Sequence, residues 1–343
     1  MGSEKAAGGD VTIVIPVDVK AVQSTKIKTT AGQKLTVKSE NPKNPSTITL
    51  KVMKDDNDKD VPMFEINASI VLQDVKIDAS ELASPLIQIG TVPGSTKKNQ
   101  DVYLTQAVID AGKTKLDATA YIMDEITIEN CEIKNLVNAI VWNGSTEWAI
   151  EQLNIKNNII QLNNEKKDFF RVHAVKDLNI IGNTIYNLKK NKDGYVVRQS
   201  NASNAAKYYG LNIVANNASL NWTINDNTLI RTMTGKAFAN NPTNQKALTI
   251  TLKDNLLYDV YQLQKIFASS TTKVYDKATN FIYGEEVTID GTDKGTYCTE
   301  LTAAPFTAPT TALDLTKKYG GLNLKPSGDA ANAGDPRWYK EIN

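Results

Sequence analysis

The chain is poor in the side chains that most often carry metal and redox chemistry. Its 343 residues include two cysteines, Cys131 and Cys298, and one histidine, His173. Two cysteines make no disulfide framework, and with one histidine they fall short of the Cys/His set of a structural zinc site. A small buried thiol is the plain reading of Cys131. Long apolar runs are missing as well: no stretch of about 18 apolar residues exists, so no helix is apolar enough to cross a membrane. The net charge of +1 supplies no long-range field to draw in nucleic acid or an anionic membrane. The first ten residues, MGSEKAAGGD, lack the apolar centre of an export signal and the sixth-position Ser or Thr of a myristoylation site. They read as an artificial start or as a mature end left after a signal is removed. Arginine is scarce too, with only Arg171, Arg198, Arg231 and Arg337.

What the chain does have is a repeat. IVLQDVKI at Ile70, VYLTQAVI at Val102, ITIENCEI at Ile126, LNIKNNII at Leu153, LNIIGNTI at Leu178, WTINDNTL at Trp222 and ITLKDNLL at Ile250 share a pattern. Each is apolar at its first, third and eighth places. The sixth place is Val75, Ala107, Cys131, Asn158, Asn183, Asn227 and Asn255. The starts are 32, 24, 27, 25, 44 and 28 residues apart. The gap of 44 leaves room for a degenerate unit or a long loop. A period in the twenties with one short alternating strand per unit marks a solenoid. The leucine-rich spacing is absent, and a composition rich in Thr, Ile, Val and Asn favours a parallel β-helix.

The alternation breaks at the fifth and sixth places because the strand must turn a corner there. Asn tolerates the left-handed backbone of a tight corner, and its amide can bond to the Asn above and below. Asn158, Asn183, Asn227 and Asn255 are therefore expected to face inward as a ladder, giving way to plain packing in the earlier units. Asp226 and Asp254, at the fifth place, read as corner residues. A second strand is expected after each corner, as AIVWN (139–143), FFRVHA (169–174), YVVRQ (195–199), AFANN (237–241) and KIFAS (265–269). In this register Trp142, Arg171 and Arg198, 29 and 27 residues apart, stack on one outer face, with Ala239 and Ala268 extending the column. The loop KDDNDKD (54–60) reads as a solvated turn, since it lacks the glycine and closing glutamate of a calcium loop.

The expected fold is all-β: a right-handed, single-stranded parallel β-helix, with a C-terminal segment folding back as a cap that buries Trp338. Expected boundaries are a tail at 1–15, an N-terminal part of the coil at 16–145, a C-terminal part at 146–285 and a linker with capping segment at 286–343.

KLTVKSENPKNPSTITL (34–50) followed by MFEINASIVLQDVKI (63–77) resembles the opening of pectate-lyase-like β-helix proteins exported by Bacteroidetes. The middle units and the ending GDPRW (334–338) resemble the companion C-terminal domain of the same proteins. These domains are mostly of unknown function. The resemblance implies an exported protein at the cell surface, as an outer-membrane lipoprotein, or in the periplasm, in contact with carbohydrate.

The chemistry read from the residues is one of binding. The outward places of the first strand hold no cluster of aspartates, so no metal site is expected, and no cofactor is. No carboxylate pair of the glycosidase kind stands out. On the second strand, Arg171 and Arg198 suit bidentate bonds to a uronate carboxylate. Trp142 suits stacking on a sugar ring, and Asn143, Gln199 and Asn240 suit hydroxyls if they point outward. His173, two residues from Arg171, suits a general base. The plainer alternative pairs Arg171 and Arg198 with acids such as Asp168 or Asp193 and leaves His173 as an ordinary strand residue. The expected function is binding of an acidic or pectic polysaccharide by a monomer, without nucleic acid and with the membrane reached only through a lipid anchor. Two alternatives stay open: a metal-independent polysaccharide lyase using His173, Arg171 and Arg198, and a structural or adhesin-like surface protein.

Overall fold

The structure is a computed structural model that describes residues 9–17, 19–29, 33–90, 121–143, 148–172, 174–198, 220–234, 248–260, 272–275, 278–289 and 296–340. Almost all regular structure in them is parallel β-sheet. Three sheets of nine, ten and six strands run along the molecule. Up to Val197–Arg198 successive strands pass from the first sheet to the second to the third, so each sheet collects every third strand and the chain winds in the manner of a parallel β-helix; from Leu220 on, the described strands fall in the first two sheets.

The repeat windows fall in register in the first sheet. Ile70 pairs with Ile126, Ile126 with Leu153, Leu153 with Leu178, Leu178 with Trp222 and Trp222 with Ile250. Alternation sends Ile126, Ile128, Leu153, Ile155, Leu178, Ile180, Trp222 and Ile250 inward, all fully buried. Each such side chain contributes about 1.5–3 kcal/mol by leaving water. Strands at Val11–Ile15 and Leu35–Ser39 precede these windows, and Thr272–Tyr275 follows them. The window at Val102 lies outside the described residues. The strands at Ile70 and Ile126 are direct neighbours in the sheet, and across the 44-residue gap Ala174–Ile181 pairs directly with Leu220–Asn225.

The corner differs from its expected form by one residue. Positive φ falls on the fifth place: Asp74 (53°), Asn130 (54°), Asn157 (54°), Gly182 (66°), Asp226 (59°) and Asp254 (55°). These are Asn, Asp and Gly, the residues that tolerate the left-handed region. At Gly182 a Cβ would also lie 2.5 Å from Asn157 Oδ1. The sixth place, relieved of that strain, turns its side chain inward. There the ladder forms: Asn158 Nδ2 donates to Asn183 Oδ1 (3.0 Å), Asn183 to Asn227 (3.0 Å), Asn227 to Asn255 (3.0 Å) and Asn255 to Asn280 (2.9 Å). Each amide also donates to a core-strand carbonyl, as Asn227 does to Ile180 O at 2.7 Å. Every oxygen also accepts the backbone N–H of the neighbouring rung. All five side chains are buried and satisfied. Cys131 takes the place next to Asn158, whose Oδ1 accepts its N–H (2.9 Å), and its thiol packs in the core.

Three strands make each turn, not two. Directly after the corner comes a short strand of the second sheet, such as Glu132–Leu136, Ile159–Leu162 or Thr184–Asn187. The apolar eighth place lies inside it: Ile133, Ile160, Ile185, Leu229 and Leu257 point into the core. Of the strands expected after the corner, those at Val141–Asn143, Phe170–Arg171 and Val197–Arg198 belong to the third sheet; 237–241 and 265–269 lie outside the described residues.

The C-terminal segment lies along the flank of the coil, over the outer face of the second sheet, with Trp338 buried. Leu313, Leu315, Leu324 and Trp338 pack on Ile159, Tyr186, Ile230 and Tyr258, which belong to four successive strands of that sheet. The ending GDPRW is the clamp. Gly334 (φ 85°) donates to Asp254 O (2.8 Å), and a Cβ there would stand 2.4 Å from Thr228 Oγ1. The Asp335 N–H donates to Thr228 Oγ1, and Thr184 Oγ1 donates to Asp335 Oδ2. Arg337 Nη2 donates to Gly182 O (2.9 Å), and Trp338 Nε1 donates to Thr184 Oγ1 (2.7 Å).

Candidate functional site

The third sheet presents one outward residue per strand. Its register places Lys28, Glu65, Gln88, Trp142, Arg171 and Arg198 in a single row. Their inward neighbours, Phe64, Ile87, Val141, Phe170 and Val197, are all fully buried and anchor the row. With neighbouring strands about 4.8 Å apart, the row is roughly 24 Å long.

Trp142, Arg171 and Arg198 are thus brought together as the spacing implied. Trp142 and Arg171 are half-buried and Arg198 is exposed. The Arg171 guanidinium lies 4.2 Å from the centre of the Trp142 ring. A cation over an aromatic ring at this distance is held by the ring's quadrupole. Arg171 has no carboxylate partner among the described residues. Arg198 does have one: Nη1 lies 3.4 Å from Asp168 Oδ2. Asp168 is almost fully buried and also accepts the Tyr195 N–H (3.0 Å), so it acts as a fixed post that steers the arginine. The pairing alternative therefore describes Arg198 and not Arg171.

At the other end of the row, Glu65 accepts from Lys26 and, at 2.8 Å, from Lys28. Burial alone would raise its carboxyl, but the two ammonium groups hold it below the ordinary value. Each carboxylate here is thus committed to a cation, and the face as a whole carries an excess of positive charge. Among the described residues, no group of three or more His, Cys, Asp or Glu is placed to hold a metal ion.

Asn143 does not join the row. It pairs with Ile89, follows Trp142 directly and so points the opposite way, into the core, where it is fully buried and donates to Trp148 O (3.4 Å). Adjacent residues of a strand cannot share a face, so it cannot meet a ligand beside Trp142. His173, Gln199 and Asn240 lie outside the described residues, as do Ala239 and Ala268. Sequence reasoning missed Lys28, Glu65 and Gln88. The signal for Glu65 and Gln88 was available in FEI (64–66) and IQI (87–89), each an apolar–polar–apolar triplet whose middle residue faces outward as Trp142 does in VWN.

Residues 23–188 match a family model described as a domain of unknown function, DUF4957. The match covers all the third-sheet strands from Ile27 to Arg171. No curated protein and no solved structure matches the chain.

Proposed function

We propose that the protein binds an acidic, pectin-like polysaccharide along the outer row of the third sheet. The observation that carries this reading is the Trp142–Arg171–Arg198 row: an aromatic ring beside two guanidinium groups, one held by Asp168 and one with no carboxylate partner among the described residues. Carboxylates are recognised by such in-plane N–H pairs, and the apolar face of a sugar ring by the tryptophan. A row of parallel side chains at regular spacing suits a polymer better than a single small ligand.

Non-catalytic binding is favoured over the lyase because, among the described residues, the acids beside this row, Glu65 and Asp168, are spent on ion pairs; His173, the base of the lyase reading, lies outside those residues. The coil is right-handed in this reading, as parallel crossovers in one sheet nearly always are. The pectate-lyase-like resemblance supports this hand, a bacterial exported setting and work at the cell surface or in the periplasm.

A glycan array comparing the wild type with an Arg171→Ala, Arg198→Ala double variant tests the site. Retention of polyuronates by the wild type and at least tenfold weaker retention by the variant is the expected result. Equal retention removes the row from the function, and no glycan bound by either protein leaves the structural, adhesin-like role. Ultraviolet absorbance from unsaturated products during incubation with polygalacturonate would reinstate the lyase.

A further inference from the structure

A cleft of about 660 Å³ opens on another flank of the coil, where the C-terminal segment leaves the second sheet partly uncovered. One wall is the loop 42–45. The floor is the corner of two neighbouring rungs, with Asp74, Lys76 and Glu132. The far wall is 316–319 together with 335–337 of the C-terminal segment. The volume falls within the roughly 300–1,000 Å³ of small-molecule sites.

The charges of this cleft are not balanced within it. Arg337 is tied to Asp335 (2.9 Å), and Lys317 leans toward Asp314 (3.8 Å) outside it. Lys43 and Lys318 are exposed and have no carboxylate partner among the described residues. Lys76 is buried, pairs in register with Glu132 and directs one of its three donors to Leu315 O (3.0 Å). Burial raises the Asp74 carboxyl, and only its bond from Asn130 opposes this. Burial also raises Glu132, against the pull of Lys76 and Arg337. The lining carries five cations, Lys43, Lys76, Lys317, Lys318 and Arg337, against three carboxylates, Asp74, Glu132 and Asp335. One oxygen is left over: Glu132 Oε2 is buried and accepts no hydrogen bond from the protein. A buried polar atom of this kind calls for a donor.

We propose that this cleft is a second binding site, for a small hydroxylated carboxylate of the sugar-acid class, with Lys43 and Lys318 holding its carboxylate and Glu132 receiving one of its hydroxyls. It shares no residue with the row on the third sheet and does not depend on that row's function. The clamp formed by the GDPRW ending builds one of its walls, so the site exists only while the C-terminal segment is docked.

The test is calorimetric titration with D-galacturonate and D-glucuronate, using acetate and D-galactose as controls that each carry only half of the required chemistry. Variants are Lys43→Ala with Lys318→Ala, Glu132→Gln, and the Arg171→Ala, Arg198→Ala double variant. The lysines are exposed, so folding should survive their loss, and circular dichroism checks this. The expected result is binding of at least one sugar acid, with acetate and galactose at least tenfold weaker. The lysine pair should weaken the sugar acid at least tenfold, Glu132→Gln about threefold, and the arginine pair not at all. Failure of both sugar acids to bind overturns the proposal. So does binding that the lysine variant leaves unchanged, or binding that only the arginine variant abolishes, which would move the ligand to the third sheet.

Discussion

Replacing Asn227 by alanine removes the middle of the inward ladder. Its amide oxygen accepts the N–H of Asn183 (3.1 Å) and the amide of Asn183 (3.0 Å), while its nitrogen donates to Ile180 O (2.7 Å) and Asn255 Oδ1 (3.0 Å). Asn255 Oδ1 keeps the backbone N–H of residue 227, and the Asn183 amide keeps its bonds to Ile155 O and Ile181 O. One group loses its only evident partner, the Asn183 N–H; the Ile180 carbonyl sits in the parallel ladder with Leu220–Asn225 and loses only a second bond. At about 1–3 kcal/mol for the buried orphan and about 0.5–1.5 kcal/mol for the lost bond, the substitution should cost about 1.5–4.5 kcal/mol, well above the usual surface change of about 0.5 kcal/mol. Asn154→Ala is the control. Asn154 lies on the outer face of the same sheet and bonds to Thr127 Oγ1 (3.2 Å) and to the Asn179 amide (2.9 Å), both side-chain groups, so its loss strips no backbone N–H or C=O of a partner. Its loss should cost about 0.5–1.5 kcal/mol. Urea denaturation followed by tryptophan fluorescence reads both, since Trp222 is fully buried five residues from Asn227. A cost for Asn227→Ala below about 1 kcal/mol, or no greater than that of the control, would refute the argument that the ladder is an essential hydrogen-bonded column.

Three further outcomes are expected. Gly334→Ala must place a Cβ 2.4 Å from Thr228 Oγ1 and 3.0 Å from Leu256 Cβ at a φ of 85°, so it should cost about 1–3 kcal/mol; limited proteolysis should then cut the C-terminal segment faster than in the wild type. Burial, only partly offset by Arg337 and Thr184, pushes the Asp335 carboxyl up to about 6. The folded chain therefore holds this proton over a range where the unfolded chain, at about 3.9, has released it, and this group's contribution to stability should fall as pH rises from about 4 to 6. Denaturation midpoints across that range should show the slope in the wild type and lose it in Asp335→Asn. Burial also pushes the Cys131 thiol up to about 12, and Cys298 is buried too; neither should react with a thiol reagent until the protein unfolds.

The first sheet was legible in the sequence because its signal is local. An apolar–polar–apolar triplet followed by a polar corner recurs in one order at Ile126, Leu153, Leu178, Trp222 and Ile250, and register follows from lining up like with like. The ladder was legible for the same reason, although Asn280, preceding FIY, was overlooked because the first strand of its unit, TKVY, does not show the full pattern. The second sheet was hidden by brevity. Strands of three to five residues directly after a corner, such as Lys76–Asp78, have too few alternations to separate them from the turn. The path of the C-terminal segment was not legible either. Its partners, Thr184, Thr228 and Asp254, lie 80 or more residues away, and their readiness to receive it depends on three rungs being stacked. At the candidate site the column of Trp142, Arg171 and Arg198 could be read from spacing alone. Asn143 could not share it, and the strand period of two, applied to VWN, already implied as much.

The most direct test of the functional account is the fluorescence of Trp142 during titration with polygalacturonate. The other three tryptophans, Trp148, Trp222 and Trp338, are buried, so a ligand on the third sheet should change the emission of Trp142 alone. A saturable change in the wild type, absent in Trp142→Phe and shifted to at least tenfold higher polymer concentration in Arg171→Ala, is the predicted result. A change of equal size and midpoint in all three proteins would place the polymer elsewhere and contradict the account.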